Sequence, residues 1–450
     1  MQQSPATAFR DTAPRYTSYP TAPHFHAGVG ADTVAGWLRA MPEGDAVSLY
    51  LHVPFCDRLC WFCACHTKQT RRYEPVSAFL QSLGAEIELL AGLVKARAPT
   101  IRAVHFGGGS PTMLRPDDLR ALMNRLRASL PIAADASVSV EIDPNDMDEA
   151  RLDALADIGL TRASLGIQDF DPRVQAAINR EQSFECTRGV VDGLRARGVG
   201  SVNLDLLYGL PHQTLETLRA TLDQALSLAP DRLAIFGYAH VPWFKKHQTM
   251  IDEAWLPDPV ARLDQAQMAA ARIVEAGYAA IGIDHFALPG DSLARAAAEG
   301  RLRRNFQGYA DEACETLIGL GPSAVSRYRQ GYAQNTTATP TYVRAVKDGQ
   351  LPVARGIAFD EDDLMRGWVI ERLMCEFGFS VSALIELHGP AARQLVAKAE
   401  ELSRDDMPAM LRREGDRFVV PDTARAYVRV VAAEFDRYLA GGTARHSLAV

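Results

Sequence analysis

Four cysteines and a histidine are packed into residues 56–66, directly after an apolar, alternating segment. This alternation predicts a β-strand over residues 47–53, and Pro54 ends that strand. The cysteines therefore lie on a loop that leaves a strand. Because thiolates prefer soft metals, this loop is a candidate site for zinc or for an iron–sulfur cluster.

The spacing of the cysteines favours a cluster. Structural zinc sites usually gather their ligands in two separated pairs, and no second Cys/His pair follows at that distance. Cys56, Cys60 and Cys63 are separated by three and by two residues, with the aromatic Phe62 before the third cysteine. Three such thiolates suit three corners of a [4Fe–4S] cube. If Cys65 is not a ligand, one iron stays open for a small molecule. Zinc and ordinary free thiols are the alternatives.

Length, net charge and cysteine content limit the class of protein to which this chain can belong. At 450 residues the chain predicts more than one domain, or one large barrel with additions. The net charge of −7 argues against a general nucleic-acid surface and against binding to an anionic membrane. The sequence shows no secretory signal and no apolar run of about 18 residues, so no membrane span is expected. Seven cysteines, four of them clustered, do not resemble a disulfide framework, and a cytoplasmic location is expected.

Strand and helix patterns alternate from residue 47 onward. Strands are predicted over residues 48–53, 102–106, 137–142, 162–166, 201–207 and 232–237. Helices are predicted over residues 75–96, 115–129, 148–157, 184–197 and 214–227. This βαβα order predicts a parallel sheet, and six units give an α/β fold with a partial (β/α)6 TIM-like barrel. The active site of such a barrel lies at the carboxyl ends of its strands.

Four regions are predicted along the chain. They are an N-terminal arm (1–45), the partial barrel (46–285), a lid with extra strands (286–357) and a C-terminal, mostly helical, winged-helix-like domain (358–450). In the last region helices are predicted over 361–376, 381–387 and 391–403, a hairpin over 411–420, and a final helix from 422 to about 439. Winged helices usually bind DNA, but the net negative charge of the chain favours the interpretation that this domain covers the active site.

The arm contains a proline-rich stretch over residues 14–23, which cannot form a helix. One interpretation is a strap packed along the barrel. The other is an arm that closes over the site and offers Arg15 to an anion.

Residues suited to binding follow the predicted strands. The glycine run 107–109 ends the second strand and lets a ligand approach the backbone closely. Glu141 ends the third strand, where a carboxylate accepts hydrogen bonds from ribose hydroxyls or caps a helix. Asp205 lies within the apolar fifth strand and needs a ligand or a partner, for which Arg180 is the candidate.

The pattern C-x3-C-x-aromatic-C after a first barrel strand resembles the radical S-adenosylmethionine (SAM) superfamily. The resemblance implies that Cys56, Cys60 and Cys63 hold a [4Fe–4S] cluster. It also implies that SAM binds the fourth iron and is cleaved to a 5′-deoxyadenosyl radical.

Within that superfamily the chain resembles the oxygen-independent coproporphyrinogen III oxidase family. The resemblance rests on the arm 14–23, the four-cysteine run, the turn 107–112 and the motifs at 304–309 and 319–324. It implies conversion of two propionate side chains of coproporphyrinogen III to vinyl groups, giving protoporphyrinogen IX for haem synthesis. A reduced donor such as flavodoxin or ferredoxin is an expected partner, and a monomer is expected.

The resemblance further implies two SAM molecules side by side. Contacts to the first are expected from Tyr50, Gly108, Glu141 and Val325. Contacts to the second are expected from Phe62, Gly109, Ser110, Gln168, Arg180, Asp205 and Ala239. Tyr50 and Cys65 are expected to take part in catalysis. Cys65 is interpreted as a thiol beside the cluster or a relay for a radical or proton, with a plain packed thiol as the alternative.

Several assignments stay open. Arg15, Arg303 and Arg304 are candidates for binding propionates, because a guanidinium matches a carboxylate. Arg303 stands where related sequences carry His. His285 either orients a carboxylate or is structural.

Two other functions are weighed. A related haem-binding chaperone is one, although such relatives lack a cysteine at position 65 and carry a His-Asn-x-x-Tyr-Trp motif that this sequence does not contain. A zinc-stabilised interaction module is the other.

Overall fold

The computed structural model describes residues 13–312, 314–406 and 409–439. Six parallel strands follow one another in the sheet in the order of the chain. They are β1 (Ala46–Val53), β2 (Thr100–Gly108), β3 (Ile132–Ile142), β4 (Arg162–Gln168), β5 (Ser201–Tyr208) and β6 (Arg232–Gly237). Each predicted strand falls within the observed one. The predicted partial (β/α)6 barrel is therefore confirmed.

Eight helices belong to this part of the chain. They are α1 (Ala31–Arg39), α2 (Glu74–Val94), α3 (Pro116–Ser129), α4 (Glu149–Asp157), α5 (Pro172–Ala177), α6 (Phe184–Ala196), α7 (Leu215–Ser227) and α8 (Pro259–Glu275). The sequence predicts α2, α3, α4, α6 and α7, but not α1, α5 or α8. Helix α8 begins with a proline after Asp258, whose side chain accepts a hydrogen bond from Ala261 N.

Helix α2 with its extension, Glu74–Arg97, is long and apolar enough to cross a membrane, judged by length and composition alone. Its residues Val76, Phe79, Leu83 and Ile87 are fully buried in the main hydrophobic core. The apolar character of α2 therefore follows from its place in that core.

The sheet continues beyond the barrel on both edges, to twelve strands in all. At one edge are β7 (Ala279–Ile281) and β8 (His285–Ala287); at the other are β11 (Thr316–Leu320), β12 (Val325–Tyr328), β13 (Gly331–Asn335) and β14 (Val353–Ala358). Strand β11 pairs parallel with β1, and β12 to β14 follow antiparallel. The extra strands predicted over residues 286–357 thus extend the barrel sheet itself.

Three smaller elements complete this region. A separate hairpin consists of β9 (Arg303–Asn305) and β10 (Gly308–Ala310), and two helices, α9 (Ser292–Ala298) and α10 (Thr339–Lys347), connect the strands. The hairpin carries Arg304, which reaches the candidate site described below.

The C-terminal region combines helices with a small three-stranded sheet. Its elements are α11 (Glu361–Glu376), β15 (Gly378–Ser380), α12 (Val381–His388), α13 (Arg393–Glu401), β16 (Arg412–Glu414), β17 (Arg417–Val419) and α14 (Val428–Ala433). Helices followed by a β-hairpin match the winged-helix-like arrangement predicted from the sequence.

The single final helix predicted from residue 422 to about 439 is wrong. The chain forms a 3-10 helix over Asp422–Tyr427 and then the short helix α14. Just after α14, Asp436 Oδ2 accepts a hydrogen bond of 3.1 Å from the hydroxyl of Tyr16. This contact with the N-terminal strap replaces a further helical turn. Residues 1–12 and 440–450 lie outside the described part of the chain.

The proline-rich stretch is packed as a strap between the two halves of the molecule. Tyr16 and Tyr19 are buried in the core of the C-terminal region. Next to them, Arg15 Nη2 donates a hydrogen bond of 2.8 Å to Gly237 O at the end of β6. The strap therefore packs into the structure and also delivers a guanidinium to the carboxyl end of the barrel.

Candidate active site

The cysteine loop closes on itself directly after β1. The backbone N–H of Lys68 donates to Pro54 O, and that of Thr70 donates to Cys56 O, each at 2.9 Å. These two bonds join the start of the loop to its end. The clustered cysteines are therefore held on one compact turn at the carboxyl end of the barrel.

Polar hydrogens lie close to the sulfurs of this loop. Cys56 Sγ is 3.0 Å from the hydroxyl of Thr67, and the backbone N–H of Cys65 donates to Cys63 Sγ at 3.4 Å. Burial raises the pKa of Cys56 to about 12. A thiol in this setting ionises when a positive centre binds beside it, and a metal supplies that charge.

The distances between the sulfurs separate zinc from a cluster. Tetrahedral zinc with Zn–S bonds of about 2.3 Å holds its sulfurs roughly 3.8 Å apart. In the described part of the chain, no three cysteine sulfurs lie within 4.8 Å of one another. The three predicted ligands are thus more widely spread than the ligands of one bound zinc ion.

The glycine turn after β2 lies against the cysteine loop without room for side chains. Gly108 has a φ of 111°, which favours glycine, and a Cβ there would lie 2.6 Å from the ring of His52. A Cβ on Gly109 would lie 2.4 Å from Phe55 O. The backbone N–H of Gly109 donates to Val53 O at 2.8 Å. The turn therefore holds its backbone close to the cysteines.

Glu141, at the end of β3, is fixed by two hydrogen bonds. Its Oε2 accepts from Gly108 N at 3.1 Å, and its Oε1 accepts from His105 Nε2 at 3.2 Å. Burial opposes ionisation, but the bonds from His105 and Gly108 outweigh it and hold the pKa of Glu141 below its usual value. The ring of Tyr50 stacks on His105 at 5.6 Å. An anionic carboxylate therefore sits beside the glycine turn.

Arg180 links the cysteine loop to the barrel. Its Nη1 donates to Asp143 Oδ2 at 2.6 Å and to Cys60 Sγ at 3.7 Å, and its Nη2 donates to Gly166 O at 2.8 Å. The guanidinium and the carboxylate are both buried. The positive charge beside Cys60 favours the thiolate form that a metal ligand needs.

The predicted pairing of Arg180 with Asp205 is wrong. Asp205 accepts hydrogen bonds from Ser164 Oγ at 2.7 Å and from Asn203 Nδ2 at 2.8 Å. Arg180 pairs with Asp143 instead, because that carboxylate lies next to the cysteine loop. Burial raises the pKa of Asp205 despite its two hydrogen bonds.

Residues 240–250, here called the roof segment, cover the cysteine loop. Three of its side chains donate hydrogen bonds of 2.6 to 2.9 Å to loop carbonyls: Lys245 to Cys65, His247 to Cys63, and Gln248 to Phe62. The sequence gives one signal for this role, a run of polar residues after the sixth strand. That signal does not reveal which backbone the side chains reach.

A cavity of about 800 Å³ lies beside the roof segment, between β6, α8 and the C-terminal region. Its lining includes five arginines: Arg15, Arg262, Arg304, Arg425 and Arg429. Arg262 Nε and Arg304 Nε and Nη1 are buried and have no hydrogen-bond partner among the described residues. These three N–H groups are closed off from the cavity, but among the described residues five guanidinium groups and a single carboxylate, Asp284, line it.

Two other candidates lie near this cavity. Asp284 lines it, and His285 Nδ1 lies 2.6 Å from Asp284 Oδ1, so His285 orients that carboxylate. Arg303 instead forms an ion pair of 3.1 Å with Glu371, and the lining of the cavity includes its neighbour Arg304 rather than Arg303.

Known proteins are similar to this chain in sequence and in fold. A model of the radical SAM superfamily matches residues 50–225. The chain is 47% identical over 430 residues to the oxygen-independent coproporphyrinogen III oxidase of Cereibacter sphaeroides, with 96% of this chain and 95% of the relative covered.

The chain belongs to the oxygen-independent coproporphyrinogen III oxidase family. A relative of the same name from Pseudomonas aeruginosa is 39% identical over 432 residues, covering 95% of this chain and 94% of the relative. The solved structure of coproporphyrinogen III oxidase from Escherichia coli, described as a radical SAM enzyme, matches with a TM-score of 0.90 and 37% identity. That match covers 94% of this chain and 97% of the other.

Val325 and Ser110 are two further residues that are expected to bind SAM in this oxidase family. Val325 begins β12 against Gly319, which pairs with Tyr50 of β1. Ser110 is buried, and its hydroxyl donates to Asp146 at 2.6 Å.

Gln168, Phe62 and Ala239 are also expected to bind SAM. Gln168 ends β4 with a φ of 69°, the left-handed region. Phe62 packs against a small apolar cluster that includes Tyr238, and Ala239 lines the cavity.

Proposed function

We propose that this chain converts two propionate side chains of coproporphyrinogen III to the vinyl groups of protoporphyrinogen IX, with loss of carbon dioxide, in haem synthesis. The observation that carries the proposal is the cavity lined, among the described residues, by five arginines, including Arg262 and Arg304, and by a single carboxylate, Asp284. Guanidinium groups bind substrate carboxylates through charge-assisted hydrogen bonds. Arg15 lies in the same lining and adds a third guanidinium.

The cofactors follow from the residues of the loop and the glycine turn. When bound, a [4Fe–4S] cluster and SAM supply a 5′-deoxyadenosyl radical that removes a hydrogen from a propionate β-carbon, a position with no proton acidic enough for a base. Cys56, Cys60 and Cys63 hold the cluster. Arg180 and the N–H of Cys65 stabilise negative sulfur by donating to Cys60 and Cys63.

Two SAM molecules are part of the proposal. Tyr50, Gly108, Glu141 and Val325 contact the first. Phe62, Gly109, Ser110, Gln168, Arg180, Asp205 and Ala239 contact the second. The ionised Glu141 accepts hydrogen bonds from the ligand, which its low pKa allows at neutral pH.

The surrounding residues exclude water from the radical. The strap places Arg15 over the end of β6, and the roof segment covers the cysteine loop. Excluding water in this way prevents a carbon radical from reacting with solvent. Tyr50 and Cys65 are the residues proposed to act in catalysis; Tyr50 stacks on His105, and Cys65 is exposed on the cysteine loop.

The enzyme is further proposed to act as a cytoplasmic monomer. It takes electrons from a reduced carrier such as flavodoxin or ferredoxin.

An anaerobic turnover assay tests the proposed function. Reconstituted protein, SAM, a chemical reductant and coproporphyrinogen III are expected to give 5′-deoxyadenosine and a product with two vinyl groups, identified by mass spectrometry. The variant Cys56→Ser is expected to give neither. Tight haem binding without any vinyl product from the wild-type protein would contradict the proposal.

A further inference from the structure

Two segments around the cysteine loop carry only positive charge. Residues 62–72 and 241–251 contain no Asp or Glu, although the whole chain has 55 acidic residues and a net charge of −7. The nearest carboxylates along the chain are Asp57 and Glu74 around the first segment, and Asp231 and Asp252 around the second. The cations of the two segments are Lys68, Arg71, Arg72, Lys245 and Lys246.

The structure brings the two segments together. Lys245 Nζ donates to Cys65 O at 2.9 Å. Burial lowers the pKa of His66, and the ammonium groups of Lys245 and Lys68 lower it further, so both lysines lie near that ring. One lysine of each segment, Lys68 and Lys245, therefore lies near the end of the cysteine loop.

An apolar patch lies at the same place. The ring of Phe244 is 71% exposed, and its centroid is 5.1 Å from Lys245 Nζ. Met250, at the end of the roof segment, is 59% exposed. Large apolar side chains exposed together beside unpaired charges mark an interaction surface on a soluble protein.

This surface is separate from the substrate cavity. Trp243 lines the cavity, whereas the lining does not include the next residue, Phe244. The roof segment thus has one aromatic residue toward the cavity and the next toward solvent. The exposed patch consequently needs an occupant other than the substrate.

We propose that the surface formed by Lys68, Phe244, Lys245, Lys246 and Met250, the cluster-loop face, docks a small acidic protein that carries one electron at a time. This inference rests on the proposed function, because only a redox cluster needs such a partner. The carrier loses one electron, the oxidised cluster gains it, and no atoms are transferred.

The geometry supports electron delivery at this face. The cluster-loop face contacts the cysteine loop directly, since Lys245 bonds to Cys65 O, two residues after the ligand Cys63. The positive charge attracts an acidic carrier and orients it, while Phe244 and Met250 bury apolar surface on contact.

The test uses anaerobic holoenzyme and reduced flavodoxin as the acidic carrier. The second-order rate of cluster reduction is followed by absorbance in stopped-flow experiments on the wild type, Phe244→Ser and Lys246→Glu. Steering by charge raises association rates about 10- to 1000-fold, so Lys246→Glu is expected to be reduced about tenfold more slowly at low salt. Phe244→Ser removes an apolar contact rather than a charge, so it is expected to be reduced several-fold more slowly at low and at high salt. The wild-type rate is expected to fall as salt is added.

Matched controls lie on exposed surfaces elsewhere. Lys347→Glu on α10 repeats the charge reversal, and Leu387→Ser on α12 repeats the loss of an exposed apolar side chain. Both are expected to be reduced at the wild-type rate. Equal rates in all variants, or equal losses in the controls, would overturn the inference.

A chemical reductant separates this inference from the proposed function. With dithionite, Phe244→Ser and Lys246→Glu are expected to form product at the wild-type rate with an unchanged KM for coproporphyrinogen III. A raised KM under these conditions would assign the face to the substrate instead, and would overturn the docking proposal. Absence of product from the wild type with dithionite would contradict the proposed function. Slower reduction of Phe244→Ser and Lys246→Glu than of the wild type by flavodoxin would still support the docking face in that case.

Discussion

Glu141 Oε2 accepts a hydrogen bond of 3.1 Å from the backbone N–H of Gly108, so the end of β3 is tied directly to the glycine turn after β2. A second bond, from His105 Nε2 to Glu141 Oε1, fixes the other oxygen. Both bonds favour the ionised carboxylate and lower the pKa of Glu141. This anion and the glycine backbone together form the binding corner proposed for the first SAM.

The first prediction concerns that anion. Replacing Glu141 with Gln keeps the shape of the side chain but removes its charge and one acceptor. Hydrogen bonds to charged groups contribute about 1.5–3 kcal/mol, so the Kd for SAM is expected to rise about 10- to 100-fold. Anaerobic equilibrium dialysis measures the Kd. Glu43→Gln, at an exposed glutamate, is the control and should bind SAM normally; an unchanged Kd in Glu141→Gln would remove the carboxylate from the SAM site.

The second prediction concerns the close packing of the glycine turn. A methyl group at Gly109 would lie 2.4 Å from Phe55 O, so Gly109→Ala must displace the start of the cysteine loop. Overpacking of this kind costs about 1–3 kcal/mol. We expect a lower Tm and less iron retained after reconstitution.

Gly92, exposed on α2, offers the matched control for that substitution, because a Cβ there meets nothing within 4 Å. Gly92→Ala is expected to keep all its iron and to gain up to about 1 kcal/mol in the free energy of unfolding. Full iron retention in Gly109→Ala would show that the turn does not support the loop.

The third prediction concerns the substrate arginines. Arg304→Met removes one of the guanidinium groups that line the cavity. If this group binds a propionate, the KM for coproporphyrinogen III is expected to rise about 10- to 100-fold, as for loss of a charged hydrogen bond. Arg303→Met, at the neighbouring residue paired with Glu371, is expected to keep the wild-type KM. Equal KM changes in both variants, or a change only in Tm, would contradict the assignment.

The fourth prediction is a pH dependence of stability. Glu86 is fully buried on α2, and it accepts hydrogen bonds from the Tyr342 hydroxyl at 2.7 Å and from Asn335 Nδ2 and Gly321 N at 2.8 Å. Burial nevertheless raises the pKa of Glu86 to about 7. Since an unfolded glutamate has a pKa of about 4.3, the folded state retains a proton that the unfolded state releases between these values.

It follows that the free energy of unfolding has a component that is fully present below about pH 4.3 and is lost as the pH rises to about 7. Glu86→Gln cannot ionise and is expected to lack this component, which is on the order of 1–3 kcal/mol. Denaturant unfolding at pH 5 and pH 8 measures it. Glu386→Gln, at an exposed site, should show the wild-type difference in the free energy of unfolding between pH 5 and pH 8. The same difference in Glu86→Gln would refute the assignment to Glu86.

The barrel could be predicted from the sequence because its signals are local. Strands such as β2 and β5 are short apolar runs, and each is followed by a predicted helix, α3 and α7, with its own periodicity. The parallel pairing of β11 with β1 could not be predicted in this way. It joins residues more than 260 positions apart, such as Leu49 and Ile318, and no local pattern specifies such a partner.

The site was predictable where residue type alone sets the chemistry. Closely spaced cysteines indicate a metal centre, whereas the ligand contact expected from Glu141 stays a prediction. Partners chosen by tertiary packing were not predictable. Arg180 pairs with Asp143 rather than Asp205, and His247 reaches a carbonyl of the cysteine loop, because folding decides which groups are close.

The central claim is that three cysteines of one loop hold an iron–sulfur cluster. Iron, acid-labile sulfide and zinc are measured together on anaerobically reconstituted wild type, Cys56→Ser and Cys65→Ser. We predict about four irons and four sulfides per chain in the wild type and in Cys65→Ser, with a large loss of both in Cys56→Ser. Zinc without sulfide in the wild type, or loss of the cluster in Cys65→Ser equal to that in Cys56→Ser, would contradict the account.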